Sequence, residues 1–263
     1  MEHLIENLNS LREQSPLVHN ITNYVVMNNT ANALLSLGAS PVMAHAENEV
    51  ADIAAISSAL VLNIGTLSDA WISAMITAGK KAKEIGIPIV LDPVGAGASY
   101  YRTNTCKQLI AACQPDVIRG NASEIMALGN SDIVTKGVDS TQTSNEALAT
   151  ANVLARELGC VIVISGETDY ITDGETVLEN AYGSPLMAKV TGMGCTASAI
   201  IGAFLGIEKN TILASLHAMI CMGLAGEKAA KNAKGPGSFQ MHFLDALYQL
   251  NEKDIQQLAL PSL

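Results

Sequence analysis

The sequence predicts an α/β fold in which a mostly parallel central sheet is flanked by helices and carries a β-hairpin at one edge. Short runs rich in Val, Ile and Leu alternate with longer stretches of helical spacing, which is typical of parallel strands joined by helices. A polar turn, Asp173-Gly174, joins two short segments within residues 170–180, which is typical of a hairpin. These patterns predict the parallel strands as the centre of the fold and the hairpin beside them.

The predicted parallel strands are short runs of aliphatic residues with little alternation between apolar and polar positions. Such runs indicate strands that are covered on both faces, since a strand with one face in water alternates. The runs are residues 40–44, 59–65, 87–93, 116–121 and 161–166.

Helices are predicted between the strands and after them. Ser68 is the expected N-cap of one helix and Asn145 of another, since each precedes apolar residues at helical spacing. From Cys195 the chain is mainly helical in pattern to about Ala233, with a break at residues 208–210. Two or three closing helices are expected there.

Two segments outside the strands have a distinct composition. No apolar run reaches the ~18 residues that a membrane-spanning helix needs. The most apolar segment, Ala197–Ile207, is therefore predicted to be a buried core helix. The longest polar stretch, residues 136–146, is predicted to be a surface loop.

Length and composition limit the possible classes of protein. The chain has 263 residues, and we expect one domain spanning residues 1–263. Charged residues make up 15% and hydrophobic residues 49%, against a usual charged share of roughly 25%. This predicts an oligomer with buried subunit faces.

A net charge of −10 argues against a nucleic-acid partner, since binding to nucleic acid needs clustered Lys and Arg.

The cysteines and the N-terminus indicate a reducing compartment. The five cysteines form no Cys-x-x-Cys pair, and an odd number argues against a closed set of disulfides. The first residues are polar and acidic where an export signal is basic and then apolar. We expect a cytoplasmic protein without a membrane partner.

Ligands of open α/β sheets bind at the carboxyl ends of the strands. The residues that end the predicted strands are therefore the first candidates for a site. They are Met43, Gly65, Asp92, Arg119 and Ser165.

A glycine-rich turn, residues 190–197, leads directly into an apolar helix. Gly192 and Gly194 permit backbone amides to approach an anion at the helix N-terminus, where the helix dipole also favours negative charge. The alternatives are a plain tight turn and a dinucleotide fingerprint. We reject the fingerprint, since it requires a following strand with an acidic residue about 20 positions on. The sequence also lacks the P-loop pattern of many nucleotide-binding enzymes.

Two carboxylates follow neighbouring strands. Asp92 ends one strand, and Glu124 follows the next one in an Asn-x-x-Glu pattern. Two carboxylates from adjacent strand ends suit an Mg²⁺ that is held partly through water. Glu124 has an alternative role as an acidic residue that stabilises the first turn of its helix. Arg119 is expected either to bind phosphate or to form an ion pair with Asp116 or Glu124.

Cys195 follows the glycine turn and has two possible roles. It is either a thiol facing a bound anion or a small apolar side chain that fills space. A phosphoryl group beside the thiol would oppose formation of the thiolate, which argues against a role as a general base.

An ordered set of motifs resembles the hydroxyethylthiazole kinase family, which has the three-layer ribokinase-like fold. The resemblance covers nearly the whole chain. Its segments are residues 16–44, 59–67, 91–98, 118–124, 190–195 and 235–239.

The resemblance implies the residues of an active site and a homotrimer with sites at subunit boundaries. It implies a thiazole pocket, an ATP site and a region that holds Mg²⁺ and phosphate. By this resemblance the thiazole pocket includes Asn23, Met43, Gly65 and Gly192, and ATP contacts Arg119 and Ser165. Asp92 and Glu124 serve the Mg²⁺ and the phosphates. Amides of residues 192–195, including Gly194, bind the transferring oxygens. One difference is that Cys195 stands where the wider fold has a catalytic aspartate.

The resulting hypothesis is an ATP- and Mg²⁺-dependent kinase that phosphorylates the hydroxyl of 4-methyl-5-(2-hydroxyethyl)thiazole for thiamine synthesis or salvage. A kinase of a pyrimidine alcohol is the nearest alternative. A ribokinase-like NAD(P)H-hydrate dehydratase is another, opposed by the cysteine at position 195 and by residues 19–23. A regulatory subunit without turnover is opposed by the presence of Asp92, Arg119 and Glu124 together.

Overall fold

The computed structural model of the chain describes residues 2–129 and 141–258. Within them an eight-stranded sheet has the order β2-β1-β3-β4-β5-β6-β7-β8. The strands are β1 (Leu17–Ile21), β2 (Ser40–Val42), β3 (Ala59–Asn63), β4 (Ile89–Asp92), β5 (Val117–Asn121), β6 (Val161–Ser165), β7 (Asp169–Thr172) and β8 (Val177–Asn180).

The strand pairing confirms the predicted sheet and its edge hairpin. Strands β1 to β6 pair in parallel, whereas β7 and β8 are antiparallel and end the sheet on one side. The hairpin turn is stabilised by Asp173, whose Oδ1 accepts from the amides of Glu175 and Thr176. Gly174 supports the same turn, since its φ of 95° is unfavourable for residues with a side chain.

Helices connect the parallel strands and close the fold after the hairpin. Ser68 is the N-cap of α4, as predicted, and its side chain accepts from the amide of Trp71. The helices are α1 (Glu2–Gln14), α2 (Met27–Leu37), α3 (Val50–Ile56), α4 (Asp69–Ile85), α5 (Tyr100–Cys113), α6 (Ala122–Gly129), α7 (Thr141–Leu158), α8 (Met193–Leu205), α9 (Thr211–Asn232), α10 (Pro236–Gln249) and α11 (Glu252–Gln256).

Two apolar cores lie on opposite faces of the sheet. Alternate residues of each strand point to opposite faces, so Val61 of β3 belongs to one core while Leu60 and Leu62 belong to the other. The first core packs the sheet against α1, α2 and α8–α11, and the second packs it against α3–α7. The result is the expected three-layer α/β arrangement.

Two closing helices are apolar and mostly buried. Helix α8 is buried from Thr196 to Leu205, which confirms that the most apolar segment is a core helix. Helix α9 is long and apolar enough to cross a membrane, but 72% of its most apolar window is buried inside the fold. This burial is typical of a core helix.

Three expectations about elements differ from the structure. Strand β1 was not among the predicted runs, since His19 and Asn20 interrupt its apolar character; the ring Nε2 of His19 pairs with the Ala44 carbonyl at 2.8 Å. Helix α7 begins at Thr141, so the predicted N-cap Asn145 lies inside it, because polar residues continue the helix beyond its apolar part. The predicted loop 136–146 is therefore wrong for residues 141–146, and residues 136–140 lie outside the described residues. Within the described residues four helices, α8 to α11, follow the hairpin, whereas two or three closing helices were expected.

Candidate active site

Two buried polar side chains end neighbouring strands at the carboxyl edge of the sheet. Asn63 is the last residue of β3 and Asp92 the last of β4, and the strand register pairs them. Asn63 Nδ2 donates to Asp92 Oδ2 over 2.8 Å. Because the two strands are parallel and adjacent, the sheet itself brings these side chains together.

Asp92 is fully buried, and its two carboxylate oxygens have different surroundings. Oδ2 also accepts from Ser198 Oγ over 2.8 Å and lies 4.0 Å from Arg119 Nη1. Oδ1 has no hydrogen-bond partner among the described residues. Burial raises the pKa of Asp92 to about 6, the nearby Glu124 charge adds to the rise, and the Arg119 guanidinium opposes it. At neutral pH the site therefore holds a buried carboxylate with one free oxygen.

Arg119 links this carboxylate to the end of β6. It lies in the middle of β5 and not at its end as predicted, and its side chain is buried. Its Nη2 donates to Ser165 Oγ, and its Nε is buried without a partner in the described part of the chain. Neither Asp116 nor Glu124, the predicted alternatives, forms an ion pair with it among the described residues; its carboxylate neighbour is Asp92.

The glycine-rich turn places the start of α8 beside Arg119. Gly192 is the N-cap of α8 with a φ of 86°, a left-handed conformation that glycine adopts without strain. A Cβ at Gly194 would lie only 2.5 Å from Arg119 Nη1, so glycine permits this close approach. Helix geometry leaves the amides of residues 193–195 without partners inside the helix. These amides, the helix dipole and the guanidinium together suit an anion.

Asn23 and Gly65 pack against each other beyond the ends of β1 and β3. A Cβ at Gly65 would lie 2.5 Å from Asn23 Nδ2, so the contact requires glycine. The same Nδ2 donates to Asn63 Oδ1 over 2.8 Å and to Cys195 Sγ over 3.4 Å. Asn23 therefore connects Gly65 and Asn63 with Cys195 at the start of α8.

Cys195 is partly buried, and its thiol holds its proton at neutral pH. Burial raises the pKa of Cys195 to about 11, and the negative charge of Asp92 adds to the rise. The start of α8 therefore does not produce a reactive thiolate here.

Glu124 connects two loops through backbone amides. Its Oε2 accepts from the amide of Asn121 over 2.8 Å, and Asn121 Oδ1 accepts from the amide of Glu124 over 2.9 Å. This reciprocal pair is a capping box, so the alternative role predicted for Glu124 is present. Its Oε1 accepts from the amide of Gly95 over 2.9 Å, which fixes the loop after β4.

Arg102 holds the loops after β3 and β4 together. From the first turn of α5, its Nη1 donates to the carbonyls of Ile64 and Val94, and its Nη2 donates to the carbonyl of Gly65. Guanidinium–carbonyl bonds to two loops from one side chain restrict both loops at once. Gly65 is thereby fixed from its backbone side as well as by Asn23.

Met43 lies at the same edge of the sheet but apart from this network. It follows β2, the strand outside β1. Among the described residues, no hydrogen bond of the network reaches its side chain, and its carbonyl pairs with the ring Nδ1 of His45 at 3.3 Å. The structure therefore brings the other predicted site residues together and leaves Met43 at the side.

The carboxylates fit an Mg²⁺ ion that is held mainly by water and phosphate oxygens. Within residues 2–129 and 141–258, no group of three His, Cys, Asp or Glu side chains is arranged to hold a metal alone. Asp92 Oδ1 is an unpartnered anionic oxygen, and Glu124 is close enough to raise the Asp92 pKa. Mg²⁺ keeps several waters and takes one or two protein carboxylates when phosphates are present.

The arrangement of segments matches one protein family over most of the chain. A model of the hydroxyethylthiazole kinase family matches residues 8–253. The chain belongs to the hydroxyethylthiazole kinase family. A hydroxyethylthiazole kinase of Syntrophus aciditrophicus is 55% identical over 247 residues, which cover 94% of this chain and 92% of that protein. A hydroxyethylthiazole kinase of Desulfotalea psychrophila is 51% identical over 96% of this chain and 92% of its own length.

Solved structures agree with this family assignment and with the fold. A structure of a hydroxyethylthiazole kinase protein from Pyrococcus horikoshii is 43% identical, with a TM-score of 0.91 over 98% of this chain and 97% of that one. A ribokinase-like superfamily protein from Enterococcus faecalis is 15% identical, with a TM-score of 0.63 over 90% of this chain and 87% of that one. The second likeness concerns the fold alone and confirms the ribokinase-like architecture.

Sequence reasoning missed three residues of this hydroxyethylthiazole kinase family site. Asn63 was detectable, since it is a polar residue in an otherwise apolar strand end. Arg102 and Ser198 had no signal in the sequence, because each lies within a helix and reaches the site only through the fold. All three touch predicted site residues directly.

Proposed function

We propose that this chain transfers the γ-phosphoryl group of ATP to the hydroxyl of 4-methyl-5-(2-hydroxyethyl)thiazole. The product, a thiazole phosphate, would serve thiamine synthesis or salvage. One observation carries the proposal: the start of α8, the Arg119 guanidinium and the Asp92 carboxylate meet at the carboxyl edge of the sheet in a chain of this family. An anion site beside a free carboxylate oxygen suits phosphoryl transfer with a divalent cation.

The acceptor is proposed to bind at the Asn23 side of the network. Asn23 and Gly65 form a fixed wall there, because Asn63 holds the Asn23 amide and Arg102 holds the Gly65 carbonyl. Gly192 contributes the adjacent turn, and Met43 would contribute apolar surface from the edge strand. A rigid pocket of this kind holds the alcohol oxygen near the phosphate with little loss of freedom on reaction.

The phosphates are proposed to bind between α8 and β6. Amides of residues 193–195 would bind the transferring oxygens, and Arg119 with Ser165 would contact ATP beside them. The Arg119 side chain is held in place by Ser165 and by Asp92 4.0 Å away, so its charge is positioned before substrate binds. Preorganised donors of this kind stabilise charge that develops during transfer.

Asp92 and Glu124 are the residues proposed to hold Mg²⁺. Asp92 would act through its free Oδ1, and Glu124 would act through water, since both of its oxygens already accept a backbone amide. When bound, the ion supplies charge neutralisation of the phosphates. Glu124 itself fixes the loop after β4 through the amide of Gly95.

The chemistry requires little from a general base. The alcohol oxygen attacks the γ-phosphorus in line while the bond to the ADP oxygen breaks, and a loose transition state leaves the proton on the alcohol until late. Cys195 is not proposed as the proton acceptor, since burial raises its pKa to about 11 and the thiol keeps its own proton at neutral pH. Placement and charge would account for most of the rate.

A coupled assay of ADP release tests this function with the thiazole alcohol, a hydroxymethylpyrimidine, hydrated NADH and no acceptor. We expect release that depends on Mg²⁺ and on the thiazole alcohol, with thiazole phosphate formed in equal amount. Turnover with the pyrimidine alone would assign the alternative kinase. ATP cleavage that requires hydrated NADH in place of an alcohol would assign the dehydratase.

We also propose that residues 1–263 form one kinase domain and that three copies assemble with sites at subunit boundaries in the cytoplasm. Tyr24 and Val25 support the assembly, since they are 64% and 62% exposed directly beside Asn23. The five cysteines are all free thiols, which suits a reducing compartment. Light scattering after gel filtration measures the mass; a monomer at micromolar concentration would contradict the trimer.

A further inference from the structure

Asn63 occupies the centre of the polar network at the carboxyl edge of the sheet. The residue is 1% exposed, and its side-chain amide forms hydrogen bonds with other residues of the site. Oδ1 accepts from Asn23 Nδ2 over 2.8 Å and from the amide of Gly65 over 3.0 Å. Nδ2 donates to Asp92 Oδ2 over 2.8 Å.

The orientation of this amide is determined by its neighbours. Its oxygen faces two donors, Asn23 and Gly65, and its nitrogen faces an acceptor, Asp92. A rotation of the amide by half a turn would place donor against donor and acceptor against acceptor. Because the group is buried, each mismatch would leave a donor or an acceptor unsatisfied, which is strongly unfavourable. The Asn63 side chain is therefore held in one orientation.

The network continues from Asn63 toward the nucleotide side. Asp92 Oδ2 lies 4.0 Å from Arg119 Nη1, and Arg119 donates to Ser165. Asn23 at one end belongs to the proposed acceptor pocket, and Ser165 at the other end to the proposed ATP site. Asn63 joins the two halves, since its side chain forms hydrogen bonds with both Asn23 and Asp92.

We propose that Asn63 is a positioning residue that fixes the acceptor pocket relative to the phosphate-binding half of the site. This inference rests on the proposed kinase function and names a residue to which the family resemblance assigned no role. Its physical basis is that in-line transfer depends on the distance between the alcohol oxygen and phosphorus. A misplacement of about 1 Å can lower the rate by about 100-fold.

Loss of this link has a specific chemical consequence. When the alcohol is misplaced, water competes for the same phosphoryl group, so ATP is cleaved without formation of thiazole phosphate. The ratio of ADP released to thiazole phosphate formed therefore reports the position of the alcohol. A purely structural residue lowers the amount of active enzyme and leaves this ratio unchanged.

Three variants separate the possible roles of Asn63. Asn63→Leu removes the hydrogen bonds to Asn23 and Asp92 with little change in the size of the side chain. Asn63→Asp keeps the oxygen that accepts from Asn23 and Gly65 but replaces the amide donor to Asp92 with a second carboxyl oxygen, which sets two buried carboxyl groups against each other. Ser198→Ala is the matched control, since Ser198 donates to the same Asp92 Oδ2 over the same 2.8 Å but does not contact Asn23.

The experiment measures kcat, the two KM values and the ratio of ADP to thiazole phosphate at saturating Mg²⁺, with circular dichroism to verify folding. For both Asn63 variants we expect kcat to fall by roughly 10- to 100-fold, the ratio to rise above that of the wild type, and the KM of ATP to change little. The KM of the thiazole alcohol should rise in Asn63→Leu and less in Asn63→Asp. Ser198→Ala should keep the wild-type ratio.

Two outcomes would overturn the inference while the proposed function survives. One is a wild-type ratio of ADP to thiazole phosphate in a folded Asn63 variant. The other is the same ratio in Ser198→Ala as in Asn63→Asp, an outcome that would reduce Asn63 to a donor for Asp92. If Asn63→Leu does not fold, Asn63→Asp decides the question by the same ratio. Absence of turnover with the thiazole alcohol in the wild type would instead refute the proposed function.

Discussion

At the scale of single residues, Cys195 occupies the place where a general base is expected in the ribokinase-like fold. Its thiol lies 3.4 Å from Asn23 Nδ2, within the network and close to the glycine turn. Burial raises its pKa to about 11, far from the value of a base that works near neutral pH. We therefore expect the residue to contribute packing at this position and not proton transfer.

We predict that Cys195→Ala retains at least about a third of the wild-type kcat, since phosphoryl transfer through a loose transition state gains little from a base. The measurement is steady-state ADP release with the thiazole alcohol across pH 6–10. The pH profile should keep its shape, because the thiol is protonated over most of that range. A collapse of kcat with both substrates still bound would contradict this prediction.

Glu124 combines a structural role with its proposed catalytic one. We predict that Glu124→Gln lowers kcat by roughly 100-fold or more, because an amide nitrogen replaces one of two oxygens that accept from the amides of Asn121 and Gly95. The affinity for Mg²⁺ should fall as well, measured as the Mg²⁺ concentration at half-maximal rate.

A second capping box provides the control for Glu124. Asp254 and Asn251 form this reciprocal pair at the start of α11, away from the sheet edge. Asp254→Asn should cost about 1 kcal/mol of stability through the cap, to which loss of the ion pair with Lys228 adds, and it should leave kcat unchanged. Equal losses of activity in the two variants would reduce Glu124 to its capping role.

The residues of the site differ in how far the sequence could predict them. Gly65, Asp92 and Ser165 were found because each ends or follows a parallel strand, and such ends meet at one edge. Ser198 escaped, because its position in the site depends on how α8 packs against β4 and not on any local pattern. The network is thus partly a property of topology, which sequence patterns predict, and partly of helix packing, which they do not.

At the scale of elements, Arg102 of α5 determines how the loops after β3 and β4 are held. We predict that Arg102→Leu increases amide hydrogen exchange in residues 64–66 and 94–97 and raises the KM of the thiazole alcohol several-fold. The reason is that three carbonyls, those of Ile64, Gly65 and Val94, lose their donor together.

Arg156 offers a matched control for Arg102. It also donates from a helix to a loop carbonyl, that of Gly174, but this loop is the hairpin turn between β7 and β8. Arg156→Leu should increase exchange in the hairpin turn and leave the KM of the alcohol as in the wild type. A raised KM in both variants would indicate a general loss of rigidity and not a local effect of Arg102.

Element types were predicted well where the local pattern and the fold agree. The parallel runs and the hairpin are examples, since both apolar burial and turn chemistry point to the same structure. The prediction missed strand β1, because the buried His19 has a hydrogen bond to the Ala44 carbonyl that only the folded sheet provides. The predicted start of α7 was wrong, because polar residues can extend a helix without changing its apolar face.

At the scale of the whole molecule, α1 is joined to the closing helices by a small polar cluster that was not predicted. Asn7 Nδ2 donates to the ring Nδ1 of His217 on α9 and to Glu208 Oε2, each over 3.0 Å. Glu208 Oε2 also lies 2.8 Å from His3 Nε2. The cluster holds the N-terminal helix against the core that contains α8, α9 and α10.

The buried ring of His217 makes the stability of the molecule depend on pH. Burial lowers the pKa of His217 to about 4, and the nearby His3 adds to the effect. In the unfolded chain the pKa is about 6.5, so between these values the unfolded state binds more protons than the folded one. The contribution of the neutral ring to stability is thus complete above about pH 6.5 and is lost as the pH falls toward 4.

We predict that the free energy of unfolding decreases between pH 6.5 and 4 by on the order of 3 kcal/mol more in the wild type than in His217→Gln. Glutamine does not titrate, and its oxygen can still accept from Asn7. Urea unfolding at several pH values measures the difference. The control is His242→Gln on α10, which should follow the wild-type curve, since His242 is only partly buried. If His217→Gln loses stability as steeply as the wild type, the acid sensitivity arises from other groups of the cluster, His3 and Glu208 first, and the neutral buried ring is not its source.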